Sequence, residues 1–217
     1  MKELHKNASK FKYVLPGGET IPGVTTVLKT LAKPALLNWA NNMGLKGKTI
    51  YQGSEKATDI GSIAHYLIDC TIKDIGPVLE GFEEDRVKKA RELHDSFWAL
   101  AKEKNFSVKQ SELSLCDSVN KYGGTLDLLG LEGDKGALWD IKTSKAIYVD
   151  YYIQVSAYKL LCECNALGPL HPRIVLLTKD GRVYAPDISD STIQHATSAW
   201  WGLLATHKAL KQLEFTL

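Results

Sequence analysis

The chain has 217 residues, 44% hydrophobic and 24% charged, enough apolar content to bury the core of one domain without disulfides or a structural metal. Its net charge of +2 conceals an asymmetry: residues 1–56 carry nine lysines against three glutamates, a charge of +6, which leaves the remainder at −4. No apolar run approaches the roughly 20 residues of a membrane span, and the opening Met-Lys-Glu-Leu-His-Lys lacks the apolar centre of a signal peptide, so a cytoplasmic protein without membrane association is expected.

Residues 11–28 predict a short hairpin turned by Gly17-Gly18, then a helix entered after Pro22-Gly23 that stops before Pro34. A second helix carries Leu36, Leu37 and Trp39 into a glycine- and lysine-rich stretch at 44–56, which reads as a mobile loop. From Ser54, the residues Ala57, Ile60, Ala64, Leu67 and Ile68 recur at helical spacing, and the same helix sets Gly61, His65 and Asp69 on one stripe. A further helix over about 81–104 turns Phe82, Ala90, Leu93, Phe97 and Leu100 inward.

After Asn105 the pattern changes to short strands near 107–116, 122–131 and 137–143, broken by Gly123-Gly124 and by Glu132-Gly133-Asp134. Three sequential strands with short links predict an antiparallel meander. Helical spacing returns over 149–165, and strands at 174–178 and 183–185 flank a turn at Asp180-Gly181. The last helix, 190–213, is expected to be capped by Asp190 or Ser191 and keeps Ile193, Ala196, Trp200, Leu203 and Leu204 on one face. Cys70, Cys116, Cys162 and Cys164 fall in helix or strand positions without metal-site spacing, so reduced core thiols are expected rather than zinc or an iron-sulfur cluster.

The chemistry concentrates on Asp140-Ile141-Lys142. Side chains two apart on a strand share a face, so Asp140 and Lys142 point together while Trp139 and Ile141 turn into the core. Asp127 on the preceding strand can be brought beside Asp140, and such carboxylates collect oxygen ligands for magnesium, which lowers the pKa of a bound water. Lys142 orients that water or stabilises the developing charge, since the neighbouring carboxylates oppose the depressed pKa a base would need. A bare Asp-x-Lys is also what an ordinary ion pair at a strand end looks like. His65, a turn beyond Gly61, offers a neutral imidazole as a further ligand, and Gly61 lets its helix approach the sheet. Glu112 could ligate through a water or hold Lys142 in place, and Gln154 and Tyr158 share a helix face from which they could bond a phosphate or steady Lys142.

Together these residues resemble the RecB-like branch of the PD-(D/E)XK nuclease superfamily. The branch pattern stands here as Gly61-Ser-Ile-Ala-His65, Gly124-Thr-Leu-Asp127, Asp140-Ile-Lys142 and Gln154-Val-Ser-Ala-Tyr158, in family order. The resemblance spans about residues 20–165 and implies one nuclease domain over 1–217, with 1–56 a basic hairpin and helical subregion and 57–217 the catalytic core. The implied fold is a restriction-endonuclease-like α/β (mixed α+β) core, a central mixed sheet containing the antiparallel meander flanked by helices. It implies that His65, Asp127, Asp140 and the Ile141 carbonyl bind Mg2+, with Mn2+ able to substitute, that Lys142 is catalytic, and that Gln154 and Tyr158 support. The branch members with an iron-sulfur cluster carry cysteines before and after the core that this chain lacks, so it looks more like the compact stand-alone exonucleases of phage, prophage or mitochondrial genome maintenance type.

The expected activity is exonucleolytic cleavage of DNA from single-stranded ends, in recombination, repair or replication. The basic N-terminal helices, with Lys33, Lys46, Lys48 and Trp39 or Tyr51, would form a channel over the site. A solvated lysine surface and core packing of Trp39 account for the same residues. No Gly-x-x-x-x-Gly-Lys-Ser/Thr loop occurs, so unwinding would fall to a helicase, recombinase or single-strand-binding partner. The competing readings are a duplex or structure-specific endonuclease, a non-catalytic DNA-binding module, and a small metabolic hydrolase, for which no Gly-x-Ser-x-Gly or His-Glu-x-x-His motif is present.

Overall fold

The computed structural model describes residues 13–31, 34–47, 49–178 and 180–214, with the side chains of 34–36, 39 and 50–59 outside that description. A hairpin of β1 (Tyr13–Val14) and β2 (Thr20–Ile21) leads into α1 (Val24–Leu28), α2 (Pro34–Leu45), α3 (Ile50–Ile72) and α4 (Glu84–Glu103). The meander β3 (Phe106–Asp117), β4 (Tyr122–Glu132) and β5 (Lys135–Thr143) follows. Then come α5 (Val149–Cys164), β6 (His171–Leu177), β7 (Val183–Tyr184) and α6 (Asp190–Glu214). The main sheet has the order β3-β4-β5-β6-β7, antiparallel except for the parallel pair β5–β6, which α5 connects as a crossover. The expected mixed α/β architecture is therefore present.

Alternation along β5 divides the protein into two packing layers. Ala137, Trp139 and Ile141 join Ile63, Ala64, Leu67, Phe97 and Leu100 of α3 and α4 on one face. Leu138 faces the other way, with Ile153, Leu161, Trp200 and Leu204 of α5 and α6 and Val24 and Val27 of α1. Trp139 is fully buried and stacks on Phe106 with ring centroids 3.9 Å apart. Gly130 pairs with Val108 beside a β-bulge, and a Cβ there would sit 2.2 Å from the Ser107 carbonyl oxygen, so only glycine fits.

Three expectations need correction. The 44–56 stretch is not a loop: α2 runs to Leu45, Gly47 takes a left-handed φ of +65° that ends it, and α3 already begins at Ile50. Gly53 costs a helix only about 1 kcal/mol and does not break it, and no proline intervenes. The cap of α6 is Ser189, whose hydroxyl accepts the Thr192 N–H at 3.2 Å, rather than Asp190 or Ser191. Cys70 and Cys162 are buried, but Cys164 at the end of α5 is exposed, so it is no core thiol. Among the described residues, no helix is long and apolar enough to cross a membrane.

The amino-terminal end of β6 is fastened by charge. Arg173 is only 5% exposed, yet its guanidinium pairs with both Glu132 of β4 and Asp187, the latter at 2.7 Å. Burial alone would raise the Glu132 carboxyl, but the Arg173 hydrogen bonds override it and hold its pKa below the ordinary 4.5. Removing the guanidinium strands a partly buried carboxylate, so Arg173→Leu is expected to lower the unfolding free energy at pH 7 by about 3 kcal/mol in urea titrations. A depressed carboxyl contributes stability above its unfolded pKa and loses it as pH falls through the folded value. The gap between wild type and Arg173→Leu should therefore close as the pH drops below 4.5.

Candidate active site

The site begins where β4 and β5 part. Their ladder closes with Leu128 opposite Trp139, and beyond it Asp127 and Asp140 face a widening gap. Alternation on β4 slips there as well, since Leu126 joins the α5–α6 layer while Leu128, two residues on, joins the α3–α4 layer. On the facing strand, the pairs Ser111–Leu128 and Leu113–Leu126 bracket Glu112, which takes a left-handed φ of +50°. A non-glycine residue in that region carries backbone strain of order 1 kcal/mol or more.

Parting the strands leaves the Ile141 N–H without a main-chain acceptor on β4, and the Asp127 carboxylate accepts it instead through Oδ2 at 2.7 Å. Within a strand the N–H and C=O of one residue point to the same side, so the Ile141 carbonyl also faces the gap. The Ile141 carbonyl acts there on the His65 ring, favouring its protonated form. The helix α3 can come this close because Gly61 lacks a side chain: a Cβ would lie 2.7 Å from Thr143 Oγ1 and 2.8 Å from Thr143 Cβ.

Asp140 is 0% exposed. Its Oδ2 is ion-paired with the Lys142 ammonium, as their shared strand face predicts, while Oδ1 is buried without a hydrogen-bond donor among the described residues. Burial raises its pKa to about 6; Lys142 opposes the rise and Asp127 adds to it. Asp127 is likewise raised by burial, against the pull of Lys142 and the Ile141 N–H. Burial acting alone would lower Lys142, but Asp140 and Asp127 together hold it above its ordinary value, so it stays an ammonium. His65 is driven down to about 4 by burial and by Lys142, which leaves a neutral imidazole at pH 7.

The other sequence-predicted residues fall into place unevenly. Gln154 and Tyr158 share a face of α5, but they bond each other, Gln154 Nε2 to the Tyr158 hydroxyl at 2.8 Å, rather than Lys142. Both are buried, and Tyr158 reaches β4 over Gly124, where a Cβ would sit 2.7 Å from the ring. Glu112 does not hold Lys142; burial of its carboxyl, with Asp127 and Asp69 adding, raises its pKa to about 7. Lys46 lies exposed after α2. Lys33, Lys48 and the side chains of Trp39 and Tyr51 lie outside the described residues.

Two neighbours of the site went unassigned in the sequence. Tyr151 lies under Lys142, with Nζ 5.5 Å from the ring centroid, and its spacing three residues before Gln154 on the same helix was the available signal. Asp69 stands on the Gly61–His65 stripe, accepts a hydrogen bond from Ser111 Oγ at 2.9 Å and pairs with Lys73 at 2.7 Å.

No family model and no curated protein matches the chain. Among solved structures it is similar to a predicted exonuclease of Eubacterium rectale, with a TM-score of 0.51 at 16% identity over 67% of this chain and 63% of that one. The chain thus spans less than two thirds of that protein's length. At this identity the likeness establishes architecture. The fold is shared with that structure over the matched residues. It is also similar to an alkaline exonuclease from Laribacter hongkongensis, with a TM-score of 0.37 at 14% identity over 89% of this chain and 93% of that one. A second structure of that enzyme, in complex with dAMP, gives a TM-score of 0.34 at 17% identity over 75% and 92%.

Around the gap stand three oxygen donors, from Asp127, Asp140 and the Ile141 carbonyl, with one neutral imidazole. A buried carboxylate oxygen with no donor is an atom that a hard cation satisfies. Among the described residues, no three His, Cys, Asp or Glu side chains are gathered closely enough to form a ready metal group. The donor chemistry suits a cation, with Asp140 Oδ2 held by Lys142 and Asp127 Oδ2 held by Ile141. Because α3 and β5 touch at Gly61, Gly61→Ala should push His65 away from Ile141 and lower stability by about 1–3 kcal/mol in denaturant melts. Thr143→Gly in the same chain should recover part of that loss, since all three closest contacts belong to the Thr143 side chain.

Proposed function

We propose that this chain is a divalent-metal-dependent deoxyribonuclease of the RecB-like branch of the PD-(D/E)XK superfamily, working as an exonuclease on single-stranded ends. The observation that carries the reading is the fully buried Asp140 carboxylate, one oxygen without a donor among the described residues and the other on Lys142, beside Asp127 at a break in the strand ladder. A buried acceptor left unsatisfied costs about 1–3 kcal/mol, more when charged, and such a cost is seldom kept without a ligand to relieve it.

Asp127, Asp140, the Ile141 carbonyl and His65 would hold Mg2+, and a set of mostly oxygen donors accepts Mn2+ as well. When bound, the cation supplies positive charge to the phosphate and acidifies a water. Lys142, as an ammonium, has no lone pair with which to take a proton. Its part is to donate hydrogen bonds to the attacking water or to a phosphate oxygen and to stabilise negative charge as it develops. The Gln154–Tyr158 pair packs behind it and keeps α5 close to β4. His65 remains neutral and free to ligate.

The +6 charge of residues 1–56 supports a nucleic-acid substrate. A chain without a helicase loop would depend on a helicase, recombinase or single-strand-binding partner to expose ends, in cytoplasmic DNA recombination, repair or replication.

The test is digestion of a single-stranded oligonucleotide labelled separately at its 5′ and 3′ ends, with magnesium, manganese or chelator. Progressive shortening that needs metal is expected, with Lys142→Ala and Asp140→Asn slower by at least about 100-fold. Wild-type rates in both variants would sink the assignment. A covalently closed single-stranded circle should survive; its cleavage would make the enzyme an endonuclease.

A further inference from the structure

The groups around Lys142 continue outward from the site in a row of rings. Tyr151 lies 5.5 Å from Lys142 Nζ. Tyr148 packs against Tyr151 in turn, with centroids 5.5 Å apart and planes at 81°. In such an edge-to-face pair at least one face of the Tyr148 ring is left uncovered by its partner. Tyr148 is 46% exposed, Val149 beside it is 70% exposed, and Lys145 is exposed on the same loop.

The ring is carried on a fixed mount. Ser144 Oγ donates to the Ala146 carbonyl at 2.6 Å, and Ile147 packs against the buried cluster of Val155, Ile174 and Ile188. Tyr148 itself is the extended residue that opens α5, and its carbonyl accepts the Tyr151 N–H at 3.0 Å. This large aromatic side chain, half open to water just after β5 and two ring steps from Lys142, belongs to none of the buried clusters. Its location suits a flat apolar ligand attached to an anion, because the Lys142 ammonium lies beyond the Tyr151 ring on which Tyr148 packs, and Lys145 is exposed three residues earlier on the same loop.

Resting on the nuclease reading, we propose that Tyr148, edged by Val149, is a stacking platform for an unpaired nucleobase next to the phosphate at Lys142, and that it thereby selects single-stranded ends. Stacking needs an exposed base face and tolerates any base. A base locked inside a duplex has both faces occupied by its neighbours, so paired DNA cannot use the platform without fraying. Tyr148 is a positioning residue: it sets where the strand lies, and Lys142 acts on the phosphate.

The experiment uses the full chain and a single-stranded oligonucleotide with 2-aminopurine near one end, first in chelator, where binding is read without cleavage. Quenching of the 2-aminopurine emission is expected with wild type and with Tyr148→Phe or Tyr148→Trp, which keep a ring. Tyr148→Ala and Tyr148→Leu should lose the quench and bind roughly 10-fold or more weakly. With magnesium, the same two variants should raise KM by a similar factor while kcat falls less, and an abasic residue in place of the 2-aminopurine should erase the difference between wild type and Tyr148→Ala. Equal quenching and equal KM in wild type and Tyr148→Ala would overturn the platform, whether or not the chain cleaves DNA. Ring-dependent quenching in a protein that never cleaves would uphold the platform and refute the nuclease reading instead.

Discussion

The hydrogen bond from the Ile141 N–H to Asp127 Oδ2, 2.7 Å long, is the constraint on which the site is built. A sheet that simply continued would pair Asp127 and Asp140 in the ladder and leave no room between β4 and β5. Parting the strands creates room, but it strands a buried main-chain donor, which native proteins rarely tolerate. Asp127 resolves the conflict with its side chain. The carboxylate that keeps the opened edge satisfied is therefore fixed, to within one hydrogen bond, beside Asp140 and the Ile141 carbonyl. Asp127→Ala would remove a candidate ligand and orphan Ile141 at once, so loss of function in that variant says less about chemistry than loss in Lys142→Ala.

The same edge is approached from both layers through missing side chains. Gly61 brings α3 against Thr143 from one side, and Gly124 admits Tyr158 from the other. Between them β5 sends Trp139 and Ile141 into one layer while Asp140 and Lys142 remain with the other, so the strand is buried through its middle and still carries the charges of the site. Arg173 against Glu132 holds the opposite end of the sheet shut, and the Trp139 ring, at the last pair before the gap, reaches back to stack on Phe106. With that end closed, the divergence of β4 and β5 is confined to the site end.

Much of this was legible in the residues. Two-residue alternation around Asp140 gave the facing of Lys142 and the inward turn of Trp139, because a strand leaves no other choice. Helical spacing of Gly61 and His65 put them on one face of α3, and Gly61 does meet the sheet. The start of α3 was misjudged because Gly53 and the lysines near it look like loop chemistry, while helix continuation depends on neighbours that composition does not report. The kink at Glu112 and the slip at Asp127 were invisible for a related reason: neither residue has a backbone preference that announces them, and both arise only when two strands are paired. Gln154 and Tyr158 were recognised as partners of the site, but their bond to each other depends on how deeply α5 sits over Gly124. Tyr151 and Tyr148 carried a weaker signal, since tyrosines at the start of a helix have many uses and only the packed chain shows one of them over Lys142.

Charge balance decides what Lys142 can do. A buried lysine in apolar surroundings loses its proton readily and can serve as a base, but here Asp140 and Asp127 outweigh burial and keep it charged. Burial raises both carboxyls and the Lys142 ammonium offsets this only in part, so Asp140 and Asp127 are both pushed up. Ionising both carboxyls together would put more negative charge in the gap than one ammonium offsets, and Glu112 at its rim is raised in the same way, by burial and by Asp127 and Asp69. Under the proposed reading, a hard divalent cation at the Asp140 oxygen that lacks a donor among the described residues would add positive charge that Lys142 alone does not supply. The same balance that keeps Lys142 an ammonium thus favours the proposed metal reading, with the lysine as a hydrogen-bond donor rather than a base.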